Sequence, residues 1–383
     1  MKWRLYVLLG IGLFSWSGSY GEPLKPAHFP SLVSSLKITT PLEFCAERVP
    51  TEIQEIRERL EKELLLSLWD RPQIILWLKR SRRYLPDIEE MLRKSGMPED
   101  LKYVAVAESA LRPHAGSKKG AVGFWQFMQS TGRKYGLVIN ERIDERRNIF
   151  ASTGAVVRCF KHLHETFGSW TLAVAAYNMG EDGLMAEILE QGNNNYYQLY
   201  LPLETQRFLF RILSVKLIFS DPGRYGILLS EEDYYHPMKF DRIQVDCLQD
   251  TPIRIIAQAA NTYFKVIKDL NPEIRGHYLP EGSREILIPE GASKDFQARY
   301  QHLLEHWSAD QKERIYVVKK GDNLSSIADR FGVPLVAIIF WNRLDPNKPI
   351  HPGDELIIYR KGPKPVEIDK DEDEAEAGSS WNE

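Results

Sequence analysis

The chain has 383 residues, of which 43% are hydrophobic and 11% aromatic, so it can form two or three domains with ordinary cores. The formal net charge of −3 gives no indication of nucleic-acid binding. Three cysteines, Cys45, Cys159 and Cys247, lie far apart and match no metal-binding spacing. We therefore expect buried or free thiols with at most one disulfide, and no metal or organic cofactor.

The N-terminus has the pattern of a secretory signal peptide. Two basic residues precede an apolar run over residues 5–16, and the small residues Ser19 and Gly21 follow with the spacing of a cleavage site. We predict a signal peptide over residues 1–21, which implies secretion, and no membrane span after cleavage. A short uncleaved anchor is the alternative, but the run is too short and too rich in Gly and Ser to span a bilayer comfortably.

Residues 22–48 are rich in proline and irregular, and we predict a linker there. Over residues 49–235, apolar residues recur at helical spacing and Gly or Pro marks most joints, which predicts an all-helical domain. Thr51 and Gln54 form a capping-box pattern before the first helix. The predicted helical runs cover residues 56–69, 86–95, 99–111, 149–168, 170–180 and 204–219.

The C-terminal part contains an internal repeat over residues 236–290 and 314–360. "LNPEIR" in the first copy parallels "WNRLDP" in the second, and "LPEGSREILI" parallels "IHPGDELII". Each copy predicts a small βααβ module, and the first is degenerate because its opening strand, "FDRIQV", is weak. We predict a charged linker over residues 291–313 and an acidic disordered tail over residues 361–383. The predicted fold class is mainly α.

One carboxyl group, Glu108, shares an apolar helical stripe with Leu101, Ala105 and Leu111. Burial among apolar side chains disfavours the charged form of a carboxyl group and raises its pKa, which suits a general acid. A structural ion pair between Glu108 and Arg112 is equally consistent with the spacing.

The segment that follows, "SKKGAVGFWQFM" over residues 117–128, combines glycines with aromatic residues and Gln126. Glycines allow the backbone to approach a ligand closely, and aromatic faces beside an amide suit a sugar. Packing of the aromatic rings in the core explains the same composition.

The order and spacing of several motifs resemble the lytic transglycosylase domain, which has a goose-type-lysozyme-like fold. The resemblance covers about residues 85–220, and the two repeats resemble LysM modules, the second more closely. The motifs that carry the first resemblance are Glu108-Ser109, Ser117, "GAVGFWQFM", "AAYNMG" at 175–180 and "LPLET" at 201–205.

This resemblance implies that Glu108 is the catalytic acid. It would protonate the glycosidic oxygen between N-acetylmuramic acid and N-acetylglucosamine, and then act as the base when the 6-hydroxyl of the sugar forms a 1,6-anhydro ring. No second carboxylate stands out in the motifs, although most glycosidases use two. Ser117 and Gln126 match positions that orient the acid and substrate. Tyr177, Asn178 and Met128 match cleft residues, and core packing is the alternative for Met128.

The LysM resemblance implies binding to the glycan strands of peptidoglycan. The loops "KGDNL" and "WNRL" would form the groove, with Gly321, Asp322, Asn323, Leu324 and Asn342 as binding residues. For Asp322 taken individually, turn chemistry is the favoured explanation. We expect a monomer that binds peptidoglycan and no nucleic acid. Together with the predicted signal peptide, the resemblance implies a periplasmic location associated with the cell wall.

Two departures from the family pattern keep alternatives open. Phe208 stands where a tyrosine is usual, and Gln129 stands where a proline is common. The alternatives are a muramidase that hydrolyses the same bond and a catalytically weak scaffold that binds peptidoglycan. No cysteine directly follows the N-terminal apolar run, which argues against a lipoprotein anchor.

Overall fold

The part of the chain that the computed structural model describes is residues 30–38, 41–313, 315–346 and 348–359, with side chains excluded at 308–313. The predicted signal peptide over residues 1–21 and the predicted acidic tail over residues 361–383 lie outside the described residues.

The N-terminal unit is mainly helical. It includes one short hairpin of two-residue strands, β1 (Glu43–Phe44) and β2 (Glu47–Arg48). The mainly α class predicted from the sequence is confirmed. The helices are α1 (Leu32–Ser35), α2 (Gln54–Trp69), α3 (Arg71–Lys94), α4 (Lys102–Ser109), α5 (Gln129–Lys134), α6 (Ile149–Phe167), α7 (Trp170–Met179), α8 (Glu181–Gln191) and α9 (Leu203–Ser220).

Helix α9 is central to this unit, because it packs against α2, α4 and α7. Its apolar residues, among them Leu209 and Leu213, are fully buried in one core with Val104 of α4 and Ala173 of α7. Glu63 of α2 is also buried, and it accepts a hydrogen bond from Nε of Arg207 at 2.6 Å. The core therefore fixes α4 against α9, which positions the residues at the end of α4.

Three local predictions for this unit are wrong. The predicted linker over residues 22–48 ends too late, because Leu42 and Phe44 are buried in the helical core. Helix α3 begins at Arg71 and continues through Pro86, since the apolar face on both sides of the proline is buried. The Thr51 capping box does not form, because α2 begins at Gln54 with Ile53 as an N-cap that makes no side-chain hydrogen bond.

The first repeat forms a module around an antiparallel pair, in which β3 runs against β6 from Phe240 opposite Pro289 to Cys247 opposite Gly282. The weak "FDRIQV" pattern thus corresponds to a full eight-residue strand. The elements are β3 (Phe240–Cys247), β4 (Thr251–Pro252), α10 (Ile253–Ala259), α11 (Phe264–Leu270), β5 (Tyr278–Leu279), β6 (Gly282–Pro289) and α12 (Phe296–Glu313).

Helix α12 corrects the prediction of a linker over residues 291–313. Phe296, Tyr300 and Trp307 recur at helical spacing and are buried against the core of the first module. Charged residues between them interrupt the apolar pattern, so the sequence did not predict this helix. The helix therefore belongs to the module rather than to a connecting segment.

Within its described residues, the second repeat has the same strand–helix–helix–strand frame without the two short strands and the last helix of the first. Its elements are β7 (Ile315–Val317), α13 (Leu324–Phe331), α14 (Leu335–Trp341) and β8 (Glu355–Ile357), with β7 antiparallel to β8. One asparagine in each module ties the second helix to the last strand. Asn342 donates to the carbonyl oxygens of Ile338 and Ile357, each at 2.9 Å, and accepts from the Ile357 amide at 2.6 Å. Asn271 makes the same three contacts in the first module.

Replacing Asn342 by alanine should loosen the second module. Backbone groups left without partners would cost about 2 kcal/mol of local stability. We expect faster hydrogen exchange in peptides that cover residues 335–357, measured by mass spectrometry. The matched control is Ser325→Ala, at an exposed position of the same module. Equal exchange rates in the two variants would show that the amide bridge contributes nothing.

The helical unit and both modules meet around one carboxylate, Asp250. Its oxygens accept from Nη1 of Arg142 at 2.6 Å, and Arg343 of the second module donates to the same carboxylate. Next to it, Ile143 forms a β-bridge with Ile274. These contacts join residues of the helical unit to both modules.

A second carboxyl group at this joint, Glu273, is buried, and its Oε2 has no hydrogen-bond partner within the described ranges. Burial, with a smaller contribution from the charge of Glu145, raises the pKa of Glu273 to about 7, although the positive charge of Lys268 opposes the shift. Folding therefore disfavours the ionised form of this group.

Glu273→Gln should stabilise the protein above neutral pH. As pH rises from about 4.5 to about 7, Glu273 ionises in the unfolded chain but keeps its proton in the folded chain, so wild-type stability falls through this window. We expect the variant to be more stable by about 2 kcal/mol at pH 8 and equal at pH 4 in urea unfolding. Glu281→Gln, at an exposed position, is the control. A pH-independent difference would contradict the assignment.

Within the described residues, no single helix is long and apolar enough to cross a membrane. Helices α13 and α14 pass the length and hydropathy criteria only as a pair bent by 105°. The described part of the chain also has no group of three His, Cys, Asp or Glu side chains that could hold a metal ion.

Candidate active site

Glu108 lies in the last turn of α4, which ends at Ser109. The next two residues, Ala110 and Leu111, are left-handed, with φ values of 53° and 56°. The side chain is half-buried, and among the described residues it has no hydrogen-bond or ion-pair partner. Nε of Arg112 donates instead to the carbonyl oxygen of Ser109 at 3.1 Å. The alternative of an ion pair between Glu108 and Arg112 is therefore wrong.

The surroundings of Glu108 keep its proton bound near neutral pH. Burial raises the pKa of Glu108 to about 7, and the negative charge of Glu204 acts in the same direction. The positive charge of Arg211 opposes this shift. A carboxyl group with this pKa is well suited to donate a proton at neutral pH.

Glu108 lines a cavity of about 810 Å³, a size typical of sites for small ligands and short oligomers. The structure brings all the residues predicted for the catalytic unit into the wall of this cavity. They are Glu108, Ser117, Gln126, Met128, Tyr177 and Asn178.

Ser117 and Gln126 hold the loop that forms one wall of the cavity. Oγ of Ser117 accepts from the amide of Ala121 at 3.0 Å. Nε2 of Gln126 donates to the carbonyl oxygens of Gly123 at 2.9 Å and Ala115 at 3.2 Å. Both side chains therefore shape the loop around the cavity, while a direct effect on the acid or the substrate stays a prediction.

The buried Arg146 supports this loop from behind. Its guanidinium donates to the carbonyl oxygens of Gly120 at 3.0 Å and Phe127 at 3.1 Å, and it pairs with the buried carboxylate of Asp144. The loop is thus fixed by charge-assisted hydrogen bonds to backbone carbonyls.

The aromatic cluster divides between the core and the cavity. Phe124 and Trp125 are buried, and Nε1 of Trp125 donates to Oγ1 of Thr153 at 3.1 Å. For these two rings the sugar-platform hypothesis is wrong, and core packing is the explanation. Phe127 and Met128 line the cavity, and Met128 is 41% exposed, so core packing does not explain Met128.

The "AAYNMG" segment ends α7 at the opposite side of the cavity. The Tyr177 hydroxyl donates to the carbonyl oxygen of Trp125 at 2.5 Å, and burial raises its pKa well above the usual value. Oδ1 of Asn178 accepts from Oγ1 of Thr205 at 2.9 Å, which connects this segment to the "LPLET" motif. Tyr177 and Asn178 therefore tie the cavity walls together.

Sequence reasoning missed several polar side chains that line the cavity. Glu204 belongs to the "LPLET" motif that was recognised, but its side chain was not singled out. Glu181 pairs with Lys134 at 3.2 Å and with His162 at 2.9 Å. The lysines of the "SKKG" loop and Asp182 complete the charged rim.

Comparison with known families agrees with this architecture. Residues 87–200 match the transglycosylase SLT domain, and residues 316–358 match the LysM domain. The chain carries an SLT transglycosylase domain and a LysM domain.

The curated relatives extend this similarity beyond the two domains. The chain is 31% identical over 293 residues to the membrane-bound lytic murein transglycosylase D of Escherichia coli K12, and it matches the same protein of E. coli O6:H1 equally. The alignment covers 73% of this chain and 64% of each relative. The chain thus spans less than two thirds of the length of these relatives.

A solved structure is also similar in part. It is the 70 kDa soluble lytic transglycosylase SLT70 from E. coli, with 14% identity and a TM-score of 0.33, covering 46% of this chain and 32% of that chain.

The LysM domain uses two of its predicted glycan-binding side chains internally. Oδ2 of Asp322 accepts from the Tyr316 hydroxyl at 2.6 Å and from the Lys319 amide at 2.9 Å. Both amide donors of Asn342 bond to backbone carbonyls. These groups therefore hold the turn and the last strand, and a direct glycan contact of the Asp322 or Asn342 side chain stays a prediction.

The other three predicted LysM residues stay predictions. Asn323 is exposed and caps α13 by accepting from the Ser326 amide at 2.8 Å. Gly321 is exposed in the preceding turn, and Leu324 packs partly against the LysM core.

Phe208 lies outside the cavity wall. The ring is fully buried in the core, and the guanidinium carbon of Arg211 lies 5.3 Å from its centroid. At the position where the family pattern has a tyrosine, this chain therefore has an apolar ring in contact with a cation.

Proposed function

We propose that the protein is a lytic transglycosylase that cleaves the β-1,4 bond between N-acetylmuramic acid and N-acetylglucosamine in peptidoglycan. The observation that carries this proposal is Glu108, an acid in the wall of the cavity with a pKa of about 7 and no ion pair among the described residues. The SLT and LysM domains, and relatives named lytic murein transglycosylase, support peptidoglycan as the substrate.

The proposed reaction uses one protein carboxyl group twice. Glu108 gives its proton to the glycosidic oxygen as the bond to the anomeric carbon breaks, and the 2-acetamido group stabilises the positive charge that develops there. The 6-hydroxyl oxygen of N-acetylmuramic acid then bonds to the anomeric carbon while Glu108 takes the hydroxyl proton back. The product carries a 1,6-anhydro end, and no water is consumed.

The place of action would be the periplasmic face of the cell wall. The signal-peptide pattern at the N-terminus supports export. The LysM domain would hold the enzyme on glycan strands through its loops, while the SLT domain cleaves them.

Product chemistry tests the proposal against its rivals. Purified peptidoglycan is incubated with the protein, and the released fragments are identified by mass spectrometry. Anhydro ends are the expected result. Reducing ends would indicate a muramidase, and binding without fragments would indicate a scaffold.

The cleavage rate should fall as pH rises through about 7. The pKa of Glu108 is raised to about 7, so the protonated acid is present below this pH and is lost above it. Initial rates on soluble glycan strands between pH 5 and pH 9 measure the effect, and binding at each pH separates affinity from chemistry. A rate that stays constant up to pH 9 would contradict the assignment of Glu108 as the acid.

A further inference from the structure

An acidic, an aromatic and a basic residue lie on one face of helix α9. Glu204, Phe208 and Arg211 follow each other at steps of four and three, which places them along one side of a helix. Glu204 lines the cavity together with Glu108, and the guanidinium of Arg211 lies against the ring of the buried Phe208. One end of this face therefore lies at the cavity that contains Glu108, and the other end lies in the core.

Arg211 lacks the partners that a buried guanidinium normally has. Its side chain is half-buried, and its buried Nε has no hydrogen-bond partner in the part of the chain that the structure describes. Among the described residues it forms no ion pair either, in contrast to Arg207 on the same helix, which pairs with Glu63 at 2.6 Å. A half-buried cation without an ion pair destabilises the folded protein, which suggests that Arg211 is present for a functional reason.

The positive charge of Arg211 acts on the carboxyl group of Glu108. Among the described residues, Glu108 itself has no hydrogen-bond or ion-pair partner. Helices α4 and α9 pack together, and after burial the charge of Arg211 has the largest effect on the pKa of Glu108, lowering it. The other groups that face the acid are Glu204, whose charge raises this pKa, and the Tyr177 hydroxyl, which is engaged with a backbone carbonyl. Lys119 of the loop lies 3.9 Å from Glu204 and partly offsets its charge.

We propose that Arg211 is a positioning residue that supplies the counter-charge for the carboxylate left on Glu108 after proton donation. This inference rests on the proposed function. While the glycosidic oxygen holds the proton, Glu108 carries one negative charge, and the fixed charge of Arg211 stabilises it. When the 6-hydroxyl proton returns to Glu108, the negative charge disappears and the cycle closes.

The proposed role of Arg211 also explains why Phe208 can replace the tyrosine that is usual in the family. The ring has no hydroxyl that could donate to the acid, but it supports the guanidinium from one side. A cation one turn further along the same face of α9 thus takes over the stabilisation of the acid.

The experiment compares two neutral variants, Arg211→Met and Arg211→Gln, with the charge-retaining Arg211→Lys in the full chain. The first readout is the titration of Glu108, followed by carbon-13 NMR of labelled glutamate carboxyls, with the resonance assigned by its absence in Glu108→Gln. The second readout is the pH profile of peptidoglycan cleavage. Arg207→Met on the same helix is the matched control, since its partner is Glu63.

In the neutral variants, Glu108 should titrate at higher pH and the basic limb of the pH profile should move the same way. The maximal rate should fall roughly tenfold or more, because the carboxylate is less stable. Arg211→Lys should recover much of both properties. Arg207→Met should lower stability but leave the titration of Glu108 in place.

An unchanged titration of Glu108 in either folded neutral variant would overturn the inference, whether or not the protein cleaves peptidoglycan. If the titration moves but the wild type releases no fragments, the proposed function fails and the electrostatic link between Arg211 and Glu108 stands.

Discussion

Replacing Glu108 by glutamine should reduce peptidoglycan cleavage by roughly 10²- to 10⁴-fold or more, while binding to glycan strands is kept. Glutamine has nearly the same shape as the protonated acid, but it cannot give up a proton at neutral pH. Because Glu108 forms no direct ion pair among the described residues, the substitution breaks no salt bridge, and we expect the fold to be kept.

Mass spectrometry of released fragments measures the loss of cleavage, and co-sedimentation with purified peptidoglycan measures binding. Glu165→Gln is the matched control, since Glu165 is an exposed residue of the same domain outside the cavity. Wild-type turnover by Glu108→Gln would refute Glu108 as the acid. Loss of binding as well as cleavage would instead mean that the acid contributes mainly to holding the substrate.

Gly123→Ala should destabilise the SLT domain by about 3 kcal/mol or more. A Cβ atom at position 123 would lie 1.8 Å from the carbonyl oxygen and 2.5 Å from the carbonyl carbon of Arg146, and φ is +86°. The backbone cannot yield easily, because the guanidinium of Arg146 also holds the carbonyl oxygens of Gly120 and Phe127. The clash would therefore displace the loop that carries Gln126.

Gly120→Ala separates steric overlap from backbone strain. Gly120 has a similar φ of +91°, but a Cβ there meets no atom within 4 Å. We expect it to cost only about 1 to 2 kcal/mol, from the left-handed conformation alone. Urea unfolding of both variants gives the comparison, and cleavage assays show whether the loop still forms the cavity. Equal losses of stability would show that the close approach of Gly123 to Arg146 is unimportant.

The helices and modules could be predicted where the determining signals are local. The apolar period over residues 149–168 and 204–219 predicted α6 and α9 nearly to their ends. The parallel between "LNPEIR" and "WNRLDP" predicted two modules of the same order, and in both the asparagine bridges helix and strand. The helix α12 was missed because charged residues interrupt its apolar stripe, which becomes evident once the core that covers it is known.

For the site, the motifs carried a resemblance to the lytic transglycosylase domain, and this resemblance implied a set of acid and cleft residues. The structure places these residues in the wall of one cavity, while their individual roles were left open by the sequence. The pattern could not assign the rings of Phe124 and Trp125 to the core, because a cluster of aromatics has the same composition whether it faces a sugar or other side chains.

The tertiary structure decided the protonation and the charge environment of the acid. The pKa of Glu108 depends on how much water its neighbours exclude and on charges at Glu204 and Arg211, about a hundred positions away in the chain. Helical periodicity and turn chemistry depend on residues that are close together in the chain, so both can be recognised in the sequence. Desolvation and Coulomb interactions depend on distances that exist only after α4 and α9 have packed together.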